Sequence, residues 1–243
     1  MLPLFSSGVL PNGEYSLPDG TTVKCFTRDK TRRFKEAVQD KLFVDDVWPG
    51  SRVLADYLVE DPQLVMGKVV LELGAGAALP SCVAAKLGAT HVLVTDFPGD
   101  EVLDNIKRVL ECNQIASATV TGHIWGQNVE GLEQLTAKYG GDKFDTILIA
   151  EPLWKDTYKF HRDLLTSIKA CLSRNEGSVA LLAFAHRTTE EHTKEQDLEF
   201  FAVAQAEFQL SCNKVLENCE YCDVDELDPT NVFVYSITHQ CDV

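Results

Sequence analysis

The stretch VVLELGAGAALPS, Val69 to Ser81, decides how this chain reads. An apolar run holding a single acid, Glu72, leads into Gly74-Ala75-Gly76, and Leu79-Pro80 then opens a helical pattern. Such a segment predicts a buried strand, a tight turn and a helix. Glycines in the turn let a ligand approach the backbone, and Pro80 fits a first helical turn, where a missing N–H costs nothing.

Working outward, the chain alternates strand and helix patterns from Lys68 onward. KVVLEL, HVLVTD, ATVTGHIW, FDTILIAEP and SVALLAFAH read as strands. LPSCVAAKLG, EVLDNIKRVLECN, VEGLEQLTAKYG, HRDLLTSIKACL and EEHTKEQDLEFFAVAQ read as helices. FQLSCNKVL and NVFVYSITH follow with only an acidic loop between them, so they are expected to pair antiparallel. The prediction is an α/β fold: a Rossmann-like, doubly wound seven-stranded sheet, parallel except for a C-terminal antiparallel hairpin. Upstream, WPGSRVLADYLVED puts Val53, Leu54, Tyr57 and Leu58 on one helical face, and EYSLPDGTTVKCF reads as a β-hairpin about Asp19-Gly20. The expected division is an N-terminal extension, 1–45, and one large domain, 46–243.

Composition narrows the function. The net charge of −15 argues against holding phosphate backbones and favours a small molecule or a basic protein partner. The one basic cluster, Arg28 to Lys35, reads as a solvated loop or helix start. No apolar run approaches the roughly 20 residues that cross a bilayer, and the first residues do not make a signal peptide. Eight cysteines in 243 residues are too sparse for a disulfide scaffold, so the expected compartment is the reducing cytosol, or the nucleus. Cys219-x-x-Cys222 lacks a second pair at zinc spacing, so no metal is expected.

Ligands of doubly wound sheets sit beyond the carboxyl ends of the strands. Asp96 ends the second strand pattern, twenty residues after Gly76, where a carboxylate takes both ribose hydroxyls. NAD uses similar parts, but its third fingerprint position wants Gly or Ala, and Leu79 stands there. Glu72 suits a cationic ligand with an amino group. S-adenosylmethionine combines a ribose, an amino acid end and a sulfonium, and it carries no phosphate.

These residues, with VWPGSRVLADYL, VTDFPGDEVLDNIKRVLECN, GHIWG, FDTILIAEPLW and LAFAHR, resemble a known family. It is the seven-strand S-adenosylmethionine-dependent protein methyltransferases that modify lysines on translation factors and chaperones. The likeness runs from about Asp46 to the end. It is greatest to the fungal branch first described as nicotinamide-methyltransferase-like, which methylates the N-terminus and a nearby lysine of elongation factor 1-alpha. The resemblance implies that Trp48 closes over the cofactor and that Gly74, Ala75 and Gly76 cradle its amino acid end. It further implies that Asp96 binds the ribose, Trp125 lies by the adenine, Ala150 lines the floor and Glu72 reaches the amino group through hydrogen bonds. A basic protein substrate, a monomeric state and a cytoplasmic location are expected with it.

Where the family carries Asp-x-x-Tyr or Asp-x-x-Phe after the fourth strand, this chain has Glu151-Pro152-Leu153-Trp154. A carboxylate alone would raise an amine's pKa, so Glu151 suits orienting the incoming amine better than deprotonating it. Trp154 offers an apolar wall and a cation–π face. His186, at the end of the fifth strand, can touch substrate. The plainer alternatives are that Glu151 caps the next helix, that Trp154, Trp48 and Trp125 are packing, and that His161 and His186 are hydrogen-bonded loop or helix-start histidines. The motif also echoes the acid/amide-Pro-Pro-aromatic motif of exocyclic-amine methylating enzymes, with Leu153 in place of the second proline. The expected function is therefore N-methylation of a lysine or N-terminal amine of a protein, with an elongation factor as the expected substrate. Methylation of a nicotinamide-like small molecule, and a catalytically idle interaction module, are the alternatives.

Overall fold

The computed structural model describes residues 14–25, 47–154, 157–186, 191–221 and 230–240, with the backbone alone at 191–193, 218–221 and 230. A two-stranded hairpin, β1 (Glu14–Ser16) and β2 (Thr22–Lys24), precedes α1 (Pro49–Glu60). There follow β3 (Val69–Leu73), α2 (Leu79–Lys86), β4 (His91–Asp96), α3 (Asp100–Cys112), β5 (Ala118–Gly122) and α4 (Val129–Thr136). The chain then forms β6 (Thr146–Ala150), α5 (His161–Cys171), β7 (Val179–Ala185), α6 (Glu191–Phe208), β8 (Leu210–Tyr221) and β9 (Thr230–His239).

Strands β3 to β9 form one sheet in the order β5-β4-β3-β6-β7-β9-β8. The first five are parallel, and β9 enters antiparallel between β7 and β8. The chain begins the sheet at β3, winds out to β5 and returns to β6 on the other side of β3. The strand order therefore reverses between β3 and β6, where such sheets place ligands.

Burial on both faces explains the unbroken apolar runs. All five residues of β3 and all seven of β7 are buried. Alternate side chains serve opposite faces. Val70, Val92 and Val94 join α1, α2 and α3 in one core, while Leu71, Leu73 and Leu93 join α4, α5 and α6 in the other. Helix α3 buries Val102, Ile106, Val109 and Leu110 at the three- and four-residue spacing of a single stripe. On α1, Val53, Leu54 and Leu58 are buried and Tyr57 is half-buried.

The hairpin packs into the first core through Tyr15, Leu17, Val23 and Cys25. Asn113, just past α3, clamps it: its Oδ1 accepts the Lys24 N–H (2.7 Å) and its Nδ2 donates to the Lys24 carbonyl (2.7 Å). The Tyr15 hydroxyl donates to Asp56 on α1. The boundary drawn at residue 45, the basic cluster Arg28 to Lys35, Arg187 and Cys222 lie outside the described residues.

Two elements stop sooner than their patterns suggest. β5 ends at Gly122, although the apolar pattern ran on to Trp125. Ser167 of α5 explains this: its Oγ accepts the Gly126 N–H (2.8 Å) and lies 3.0 Å from His123 Nε2, drawing the loop out of strand geometry. Helix α4 ends at Thr136 and tightens into a 3₁₀ turn to Tyr139, before Gly140 in left-handed conformation. Among the described residues no helix is long and apolar enough to cross a membrane.

Candidate active site

The turn after β3 is built from backbone. Gly74 and Gly76 hold φ of 74° and 52°, which glycine adopts without a Cβ penalty. The N–H groups of Gly74 and Ala75 both donate to the Thr95 carbonyl (3.0 Å each), and Thr95 Oγ1 donates to the Glu72 carbonyl (2.6 Å). The ends of β3 and β4 are thereby locked together. A Cβ on Gly74 would lie 3.4 Å from Trp125 Cζ2, so the indole stands beside the turn. Ser167, which shapes the loop carrying Trp125, thus positions that ring from α5.

Asp96 ends β4. Its Oδ2 accepts the Gly76 N–H (2.7 Å) and its Oδ1 the Phe97 N–H (2.6 Å), while the residue stays half-buried. Burial raises its pKa, and the two N–H groups oppose the shift by favouring the anion. A carboxylate oxygen has more than one acceptor site, so both oxygens can still receive ribose hydroxyls.

Glu72 lies beneath the turn, 1% exposed. Ala78, at the cap position of α2, offers no side-chain cap, so the helix's first N–H groups need another acceptor. Glu72 supplies it: its Oε2 accepts the Ser81 N–H (3.1 Å) and the Ser81 hydroxyl. Burial pushes the carboxyl up to about 8, against the pull of the Ser81 bonds, with the charge of Asp96 adding to the rise. Its Oε1 is buried without a hydrogen-bond partner. A glycine-lined turn, a carboxylate at the ribose position, an adjacent indole and one unpartnered buried oxygen fit a nucleoside with an amino group. They offer no cluster of donors for a pyrophosphate.

The second half of the site lies at the ends of β6 and β7. Ala150 is half-buried at the end of β6. Glu151 follows with a φ of 57°, a strained value for a side chain with Cβ, and its N–H donates to the Ala183 carbonyl (2.7 Å). Its carboxylate is buried, Oε1 accepting the Gly50 N–H (2.7 Å) and Oε2 the Ala185 N–H (3.4 Å). Glu151 therefore caps the start of α1, not the helix that follows it in sequence. Trp48 is the residue immediately before α1 and gives no side-chain cap of its own. One carboxylate thus fixes the Trp48 segment over the end of β6. Glu151 does so even though a hundred residues separate it from Gly50.

Trp154 is half-buried, and its N–H donates to Thr157 Oγ1 (3.1 Å), which also lies 2.6 Å from the Pro152 carbonyl. His186, just past β7, places Nδ1 2.7 Å from Asp197 Oδ2 on α6. The Tyr158 hydroxyl donates to Asp197 Oδ1 (2.8 Å). Phe184 and Phe233 meet the His186 ring edge-on, each at 5.3 Å between centroids. His161 is a core histidine: it is edge-on to Tyr158 and Phe200, and burial lowers its pKa.

Gly74, Ala75, Gly76, Asp96, Ala150, Glu151 and His186 thus share the carboxyl edge of the sheet, with Trp48, Trp125 and Trp154 on its flanking loops. Gly50, Ser81, Tyr158, Ser167 and Asp197 escaped the sequence analysis. Ser81 carried a signal, being a hydroxyl in the first turn of a helix without a capping residue. Asp197 carried a weaker one, an acid three residues before Phe200 on the buried face of α6.

Comparison with known proteins identifies the family. A model of the lysine methyltransferase family matches residues 28–207. The chain is 34% identical over 179 residues to the protein N-terminal and lysine N-methyltransferase of Schizosaccharomyces pombe, covering 72% of this chain and 68% of that one. It is 34% identical over 171 residues to the protein of the same description from Gibberella zeae, covering 65% of this chain and 63% of that one. The Candida glabrata protein of that description is 32% identical over 204 residues, covering 79% and 75%. The chain thus spans about two thirds of the length of such relatives. Among solved structures, an O-methyltransferase from Bacillus cereus in complex with SAH superimposes with a TM-score of 0.51 at 13% identity, covering 79% of this chain and 82% of that one. A ribosomal protein L11 methylase from Lactobacillus delbrueckii gives 0.50 at 20% identity, covering 78% and 79%. At such identities the structures speak for the fold, and the matches across most of the sequence go further: the chain belongs to the lysine methyltransferase family, whose members are S-adenosylmethionine-dependent methyltransferases.

Proposed function

We propose that this protein methylates a lysine side chain, an N-terminal amine, or both, on a protein substrate, with a translation elongation factor as the expected acceptor. The carrying observation is the placement of a buried acid and a half-buried indole, Glu151 and Trp154, at the end of the strand beside the glycine turn. The relatives described as protein N-terminal and lysine N-methyltransferases support the same reading.

Bound S-adenosylmethionine supplies an electrophilic methyl group on a sulfonium. Around it, Gly74, Ala75 and Gly76 cradle the amino acid end, with Glu72 Oε1 beneath the turn as a buried acceptor for the amino group, whose positive charge favours the carboxylate over the protonated acid that burial alone favours. Asp96 takes the ribose hydroxyls, Trp125 walls the adenine, and Ala150 forms the floor. Trp48, pinned through Gly50 by Glu151, closes the site. The enzyme's work is then positioning and desolvation of the incoming amine. Glu151 and Trp154 orient it by charge and by a cation–π face, and His186 borders its path. The net charge of −15 favours a basic polypeptide and disfavours nucleic acid. The protein acts as a monomer in the cytoplasm.

The test is transfer of labelled methyl from S-adenosylmethionine into a salt-washed cell extract. Label should appear in a protein band, survive nuclease and disappear after protease. Label in nucleic acid, or only in a small molecule, would overturn the proposal.

A further inference from the structure

Methylation of an amine needs its electron pair, and an ammonium at neutral pH has none to give. Some group must accept a proton. Glu151 is poorly suited to it, because a carboxylate beside an ammonium stabilises the charged form of the amine, and its own oxygens hold the N–H groups of Gly50 and Ala185. Its geometry serves the loop before α1.

His186 is differently situated. It lies one residue past β7, at the same carboxyl edge of the sheet as Glu151 at the end of β6. Its Nδ1 is 2.7 Å from Asp197 Oδ2, and Asp197 is 1% exposed. The other Asp197 oxygen accepts the Tyr158 hydroxyl at 2.8 Å. Burial first, and Asp197 second, raise the pKa of that hydroxyl, so Tyr158 remains a donor. An ionised carboxylate only accepts, which places the imidazole proton on Nδ1 and leaves a lone pair on Nε2. Phe184 and Phe233 hold the ring edge-on, and the side chain keeps 16% of its surface exposed. The parts are a base, a buried acid that sets its tautomer, and a phenol that anchors the acid.

We infer that His186 is the proton acceptor for the substrate amine, with Asp197 and Tyr158 as positioning residues. This rests on the reading of the protein as an amine methyltransferase. The ammonium gives one proton to His186 Nε2. The freed nitrogen pair forms the N–C bond, and the pair of the breaking C–S bond stays on sulfur, leaving S-adenosylhomocysteine. The imidazolium, stabilised by Asp197, then returns its proton to solvent. Among the described residues, the titratable group against the ring is Asp197 from α6, which also holds Tyr158 from the turn before α5, while Lys214 of β8 lies over the Phe233 ring that packs on His186 from β9.

Two measurements test this. The first needs no substrate: nitrogen-15 NMR of the labelled protein should show neutral His186 as the Nδ1–H tautomer. The Nε2–H tautomer would overturn the inference. Asp197→Asn should abolish that preference, and Tyr158→Phe should weaken it.

The second is the pH profile of methyl transfer from labelled S-adenosylmethionine into the acceptor band of the salt-washed extract. His186→Gln should lower the rate at pH 7 by about a hundredfold, within the range usual for a general base, with unchanged cofactor affinity. The deficit should shrink as pH rises toward 10, because the amine then loses its proton to solvent. Asp197→Asn should cost about tenfold with KM little changed. A His186→Gln profile parallel to that of wild type at every pH would overturn the role. A wild type that labels no protein would sink the proposed function instead, leaving the tautomer measurement to judge the dyad.

Discussion

The two halves of the site are made differently. The cofactor half, at the ends of β3 and β4, is held through the backbone N–H groups of one turn and the helix start after it: Gly74 and Ala75 donate to the Thr95 carbonyl, Gly76 to Asp96 and Ser81 to Glu72. The acceptor half, at the ends of β6 and β7, is held by side chains reaching across the fold: Glu151 to Gly50, Tyr158 to Asp197, His186 to Asp197. A cofactor shared across a family can be met by a fixed backbone cradle. An acceptor that differs between enzymes is met by side chains that substitution can change one at a time. Lesions in the first half should therefore act on cofactor affinity, and lesions in the second on turnover.

The largest effect is expected at Asp96. Asp96→Ala removes the carboxylate proposed to accept two ribose hydroxyls and frees the Gly76 N–H from its partner. Hydrogen bonds to charged groups contribute about 1.5–3 kcal/mol each, so a loss of roughly 3 kcal/mol, or about a hundredfold in affinity, is expected by calorimetry. Turnover at saturating cofactor should change far less. Unaltered affinity would break the comparison at its strongest point.

Second is a pH effect within the cofactor half. The carboxyl of Glu72 is pushed from an ordinary 4.5 to about 8 by burial. Between those values the folded chain keeps a proton that the unfolded chain releases. Stability from this group is therefore full below about pH 4.5 and is lost as pH rises through 8, at up to about 1.4 kcal/mol per pH unit. Asp56, raised by burial to about 6, shares the lower part of that window. Urea unfolding between about pH 6.5 and 8 isolates Glu72: wild type should lose roughly 2 kcal/mol and Glu72→Gln almost nothing. Equal slopes would mean that Glu72 ionises freely beneath the turn.

How much of this was legible in the sequence follows the same division. The alternation of strands and helices, the closing hairpin and the glycine turn were readable because local patterns carry them: an unbroken apolar run for a strand buried on both faces, glycine where φ is positive, an acid ending β4. Asp197 and Gly50 were not, because their roles exist only once distant segments meet. Glu151 was legible as an acid at a strand end, but not as the cap of a helix a hundred residues earlier. β5 looked longer than it is, since Ser167 bends its end through bonds that no periodicity records.

Third in size, Glu151→Gln keeps the shape of the side chain and removes its charge. Gly50 can still donate to the amide oxygen, whereas the amide nitrogen cannot accept the Ala185 N–H. Turnover should fall about tenfold, equivalent to about 1.4 kcal/mol in the barrier, while cofactor affinity stays near wild type. A fall in melting temperature with turnover intact would make Glu151 a helix cap alone.

The smallest effect separates charge from position at that same carboxylate. A Cβ at Gly50 would lie 2.8 Å from Glu151 Oε1 and 3.0 Å from its Cγ, so Gly50→Ala displaces the side chain without altering its charge. Alanine within a helix gains up to about 1 kcal/mol over glycine, which offsets much of a weakened cap bond of similar size. Net stability should therefore stay within about 1 kcal/mol of wild type. Turnover should nevertheless fall roughly threefold, on the order of 0.7 kcal/mol in the barrier, because the amine's orienting charge has moved. If Gly50→Ala leaves turnover unchanged while Glu151→Gln lowers it, charge matters at this position and its placement does not. If Gly50→Ala is the more harmful, the bond that seats Trp48 outweighs the charge, and Glu151 acts on the site chiefly through α1.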